Sequence, residues 1–186
     1  MDSNQRARTD MSVLWHEAIG VMQRLEHWLA QVSHKEYSGR CAPLPHGQTP
    51  GRHVRHILDH YLALSTALSG GTDIDYEHRQ RDPLVEADPQ HALTLLQRVQ
   101  QALAPHLQQG DRTLTLDYCT DDGNAPVATT LARELVFLTQ HSIHHFALVE
   151  MLVVIQGGAM PPGFGVNPST RRHEALQSAE QPICAP

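Results

Sequence analysis

Lysine is almost missing from this chain: Lys35 is the single one among 186 residues. Chemistry that depends on a lysine amine, such as a Schiff base or a phosphate-cradling P-loop, therefore has almost nowhere to sit, and no G-x-x-x-x-G-K-S/T occurs. Cysteine is scarce as well. Cys41, Cys119 and Cys184 are odd in number and far apart, with no C-x-x-C, which excludes a disulfide framework and a zinc ribbon. Long apolar runs are lacking too. The longest, Leu148 to Ile155, is broken by Glu150 and falls short of the roughly 20 residues that a membrane span needs. Met1 to Asp10 is polar, without the apolar core of a signal peptide. The expectation is a protein of the reducing cytoplasm with no membrane partner. An excess of positive charge is also missing. The net charge of −6 and pI near 6.1 argue against a nucleic-acid partner, which normally calls for a basic face.

Three site motifs are absent. No H-E-x-x-H occurs, so this is not a zincin. No E-x-x-H occurs, which removes the usual ferritin-like di-iron signature. No G-x-S-x-G marks a hydrolase nucleophile elbow.

Histidine, by contrast, is abundant. The 14 histidines equal lysine plus arginine in number, which raises the expectation of metal or proton chemistry. The chain is long enough for one domain with a real core and too short for two comfortable ones.

Four amphipathic segments carry the apolar pattern. The first runs from about Asp10 to Ser33, with Leu14, Ala18, Val21, Leu25, Trp28 and Val32 in a 3-4 alternation. The second opens at Thr49-Pro50, an N-cap followed by proline at the first helical position, and stops at Gly70-Gly71. The third repeats that start as Asp88-Pro89 and stops near Gly110. The fourth begins after Thr129-Thr130 and stops at Gly157-Gly158. Between the third and fourth, Thr113 to Cys119 alternates like a strand, and Asp122-Gly123 reads as a turn leading into Val127-Ala128-Thr129. The pattern predicts an all-α four-helix bundle with a short β-hairpin-like insert between helices 3 and 4. Residues 35–48 and 71–87 read as loops, and the stretch from Ala159 as an irregular segment packed over one end of the bundle.

Within the fourth segment lies His141-Ser-Ile-His-His145. At helical spacing His141 and His145 share a face with Phe137, Leu138, Leu148 and Leu152, the face the helix buries. An unpartnered buried imidazole costs about 1–3 kcal/mol, so the pair calls for an explanation. His53, His56 and His60 supply one, because they follow one another at spacings of 3 and 4 on the second helix. An i, i+4 pair can reach a single ion, and a third imidazole from the second helix would complete a three-nitrogen set for Zn, Ni or Fe with positions left for water and substrate.

These segments bring a family into view. Gly51-Arg-His-Val-Arg-His-Ile-Leu-Asp-His-Tyr61 and Arg133-Glu-Leu-Val-Phe-Leu-Thr-Gln-His-Ser-Ile-His-His-Phe-Ala147 resemble the DinB/YfiT-like superfamily, and Asp75 to Asp82 and Pro168-Ser-Thr170 resemble a bacterial branch of it. The resemblance covers about residues 12 to 172. It implies a four-helix bundle whose metal is held by one histidine of the second helix and an H-x-x-x-H pair of the fourth. On this chain those residues are His56, His141 and His145, with His60 and His144 as alternates. One domain is expected over 1–172, with a frayed tail over 173–186. The activities implied are thiol-dependent S-transfer or metal-dependent hydrolysis, with a small-molecule substrate such as a low-molecular-weight thiol. A homodimer is compatible with such a bundle.

Other residues carry weaker signals. Glu134 lies two turns before His141 on the same stripe and reads either as a general base beside the metal or as a first-turn acid favoured by the helix dipole. Arg79 and Arg81 could clamp an anionic group of the substrate, against the plainer reading of a solvated loop. His53 and His144 read as partly exposed or as groups orienting the ligands. The remaining histidines read as surface residues, and Cys119, Trp15 and Trp28 as packing. Two other classes of function stay open at this point: a non-catalytic metal- or haem-binding bundle, and a plain interaction scaffold with a pH-sensitive core.

Overall fold

In the computed structural model, which describes residues 10–41, 48–78, 80–121 and 123–180, the chain is mostly helical with a small three-stranded sheet. Among the described residues, seven α-helices run in chain order: α1 (Met11–Leu29), α2 (His34–Ser38), α3 (Pro50–Gly70), α4 (Pro83–Ala87), α5 (Pro89–Leu103), α6 (Leu131–Ile155) and α7 (Pro168–Glu180). Their ends follow from short polar side chains. Thr49 accepts a hydrogen bond from the Arg52 N–H at 3.1 Å, ahead of Pro50. Asp88 accepts one from the Gln90 N–H at 2.9 Å, and Thr130 one from the Arg133 N–H at 3.2 Å. Helix α6 stops where Gly157, at φ 84°, turns the chain, so that the Gly157 and Gly158 N–H groups reach the carbonyls of Val154 and Val153, both at 2.9 Å.

Helix α3 packs on α5 and α6, and α1 packs on the same two. Their apolar faces meet in one core that includes Val21, Leu25, Leu58, Tyr61, Leu96, Leu138 and Phe146. Each leucine fully withdrawn from water there contributes about 1.5–3 kcal/mol. Among the described residues, no helix is long and apolar enough to cross a membrane.

Several segments that read as loops carry structure. Ser33 and Glu36 form a reciprocal capping box that starts α2, and the Tyr37 hydroxyl donates to the Val85 carbonyl at 2.6 Å in the interior. Asp82 caps α4 through the Leu84 N–H at 2.9 Å. Gly51 lies where a β-carbon would collide with the Glu86 carbonyl, so glycine is what lets the start of α3 press against α4.

Strands β2 (Thr113–Thr120) and β3 (Gly123–Thr130) pair antiparallel along their whole length. A third strand, β1 (Asp73–Asp75), adds itself parallel to β2 with Ile74 opposite Leu116. Three residues are too few for an alternating pattern to show in sequence; Ile74, fully buried, is what anchors β1. After α6 the chain folds back so that Phe164 stacks on Phe146 at 4.4 Å between ring centroids and approaches Trp28 at 5.7 Å. Residues 173–180, read as the start of a tail, belong to α7, and residues 181–186 lie outside the described residues.

Candidate metal centre

Starting α3 at Thr49-Pro50 places the row His53, His56, His60 along one side of that helix, and α6 sets His141 and His145 one turn apart opposite it. His53 meets His145, His56 meets both His141 and His145, and His60 meets His141. Contacts that advance on α3 while they retreat on α6 mean that the two helices run antiparallel. Ring centroids within the cluster lie as close as 4.4 Å for His56–His60 and 4.5 Å for His141–His145.

One nitrogen from each of His56, His141 and His145 lies within 4.8 Å of the other two, and all three residues are half-buried. His56 Nε2 and His141 Nε2 are 3.0 Å apart. Two nitrogens bound to one ion at about 2.1 Å stand about 3.0 Å apart at a right angle and about 3.4 Å apart at the tetrahedral angle. The observed spacing is compatible with both nitrogens binding one shared ion. The protonation state suits it too. Burial first, and then the neighbouring imidazoles of His141, His53, His144 and His60, push the His145 pKa down to about 3, which keeps the ring in its neutral, donor form.

The surroundings hold these rings in place. Phe137 stacks on His141 at 5.3 Å with the planes 21° apart. Tyr76 stacks on His60 at 4.9 Å and 24°. His60 Nδ1–H donates to the His56 carbonyl at 2.7 Å, and His53 Nδ1 lies 3.0 Å from His145 Nδ1. Burial, followed by the charge of Arg52, also lowers the His53 pKa.

Glu134 is fully buried, and its carboxylate is already engaged. It accepts hydrogen bonds from the Tyr76 hydroxyl at 2.9 Å, the Thr129 hydroxyl at 2.6 Å and the Arg133 guanidinium at 3.1 Å. Burial, and then the neighbouring Glu134 charge, raise the Tyr76 pKa above its ordinary range, so the phenol remains a donor. Glu134 therefore touches the imidazole cluster through Tyr76, which leans on His60.

The other anticipated residues fall in different places. His144 is exposed, its ring 5.2 Å from that of His145. Arg81 is exposed and lines the same cavity as His56 and His145. Arg79 lies outside the described residues. Sequence reasoning gave no role to Tyr76, Arg52 or Arg55. Arg52 and Arg55 flank His53 and His56 in sequence, which was the available signal; Tyr76 had none, since 58 residues separate it from Glu134.

A family model of the DinB superfamily matches residues 20–149. FK506-binding protein 5 of Rhizopus delemar is 26% identical over 106 residues, a stretch that covers 55% of this chain and 28% of that protein. This chain thus matches little more than a quarter of that relative's length.

Proposed function

The chain belongs to the DinB superfamily, and on that footing we propose that it is a metal-dependent enzyme of the thiol S-transferase or hydrolase type. Its long helices form a four-helix bundle of the DinB type over 1–172, and His56, His141 and His145 hold one divalent ion. The observation that carries this proposal is the convergence of one nitrogen from each of those residues within 4.8 Å, from two different helices. Three nitrogen donors are fewer than the four to six ligands that such ions take, which is the donor set of a site that admits a substrate. When bound, such an ion supplies Lewis-acid activation of a water or a thiol.

The chain's own residues do the positioning. Phe137 and Tyr76 fix the planes of His141 and His60 and shield that side of the cluster from water. His53 braces His145. Glu134 acts through Tyr76: its carboxylate takes the phenol proton's hydrogen bond and thereby sets where the ring stacks. Groups of this kind orient the side chains that hold an ion, and losing one typically costs about 10–100-fold in metal affinity or activity.

The test is a titration of chelator-treated protein with Co(II) or Ni(II), followed by addition of cysteine as a low-molecular-weight thiol. The proposal expects the metal to raise the thermal midpoint. It also expects the thiol to change the metal's absorption spectrum if the activity is S-transfer, and to leave it unchanged if the activity is hydrolytic. A metal that neither binds nor raises the midpoint contradicts both.

A further inference from the structure

Beside the imidazole cluster, a cavity of about 270 Å³ is lined by His53, His56 and His145 together with Arg52, Arg55 and Arg81. That volume lies just below the range of drug-sized ligand pockets, which run from roughly 300 Å³ upward. Arg55 is paired with two carboxylates, Asp59 Oδ2 at 3.0 Å and Glu86 Oε2 at 3.1 Å. Arg52 and Arg81 are exposed, and among the described residues Arg81 forms no ion pair. They reach the cavity from different elements: Arg52 from the first turn of α3, and Arg81 from the connection between β1 and α4.

Two further observations single out Arg81. Its φ of 50° lies in the left-handed region, the only non-glycine case among the described residues. Backbone strain of this kind persists where the surroundings over-determine it and concentrates where ligands are clamped. In addition, Arg81 borders a second cavity lined by Asp59, Asp73, Asp75 and Asp82. Three of these acids are already engaged, Asp59 by Arg55, Asp75 by His78 and Asp82 by His91. Carboxylates lie on one side of Arg81 and the guanidinium groups of Arg52 and Arg55 on the other, which favours an anion on the histidine side.

We propose that Arg52 and Arg81 form an oxyanion subsite next to the three-histidine cluster, where the carboxylate or phosphate group of the substrate is held by the planar guanidinium donors. Its meaning as a substrate subsite rests on the metal-centre proposal above, but binding of the anion itself needs no ion.

The experiment titrates chelator-treated full-length protein with inorganic phosphate and, separately, with glutarate, and reads binding by calorimetry. Saturable binding is expected for at least one of the two, and the tighter one identifies whether phosphate or carboxylate is the natural group. Arg52→Gln and Arg81→Gln should each weaken it about tenfold or more, as expected for a lost charged hydrogen bond, with the thermal midpoint showing that both variants fold. Arg98→Gln, exposed on α5 and outside the cavity, should leave it unchanged. No saturable binding, or equal weakening by Arg98→Gln, would overturn the proposal. So would anion binding that appears only after metal is added and ignores both arginine variants. A protein that takes up no metal yet still binds the anion through Arg52 and Arg81 would refute the metal centre and leave the anion subsite standing.

Discussion

Two polar clusters lie a few side chains apart in this protein, and they are built on opposite principles. Around Glu134 the chemistry is complementary: one carboxylate accepts from two hydroxyls and a guanidinium, and all four groups come from the chain itself. Around His56, His141 and His145 the chemistry repeats itself: imidazole faces imidazole, with pairs of like nitrogens 3.0 Å apart. A neutral imidazole offers one donor and one acceptor, so a hydrogen bond between two of them needs matched tautomers. A group that accepts electron pairs from several nitrogens together satisfies them all. The Glu134 cluster is a finished structural joint between the sheet and α6; the histidine cluster has the composition of a receptor.

That contrast predicts how the two clusters respond to substitution. The largest effect belongs to His141→Ala. In the intact protein a divalent ion at 100 times its dissociation constant should stabilise the fold by about 2.7 kcal/mol, and thermal unfolding with and without metal should show that increment vanish in the variant. Tyr76→Phe comes next. It leaves the buried Glu134 carboxylate without one of its donors and should cost about 1–3 kcal/mol, measured by chemical denaturation, while the metal stoichiometry stays as in the wild type. A loss of metal as large as that of His141→Ala would mean that the two clusters are one. Then His60→Gln, which alters the hydrogen bond to the His56 carbonyl, should keep one ion per chain and weaken it about tenfold by competition with a chelator. The smallest effect is that of His144→Ala, an exposed residue: metal affinity unchanged, and stability within about 0.5 kcal/mol of wild type.

The helix starts and the shared face of the histidine pair were legible in the sequence, because they depend on local rules. Thr49-Pro50, Asp88-Pro89 and Thr130 announce helix starts through capping chemistry that operates within three residues. The placement of His141 and His145 on one face needs only the helical repeat. The parallel strand β1 was not legible, being three residues long and defined by a partner some forty positions away. The Glu134–Tyr76 bond was hidden for the same reason. Spacing alone also left the choice among His53, His56 and His60 open, since all three lie on one side of α3; the resemblance favoured His56, one nitrogen of which lies within 4.8 Å of His141 and His145, while His60 also meets His141 and His53 also meets His145. The left-handed backbone of Arg81 had no sequence signal, because arginine is not a residue that favours it.

Whether the histidine cluster receives an ion is tested most directly by elemental analysis of protein purified after metal-replete expression. One divalent ion per chain in the wild type, and close to none in His145→Ala with the fold intact by circular dichroism, is the predicted result. A wild-type protein free of metal, or a His145→Ala protein that retains the full complement, would contradict it.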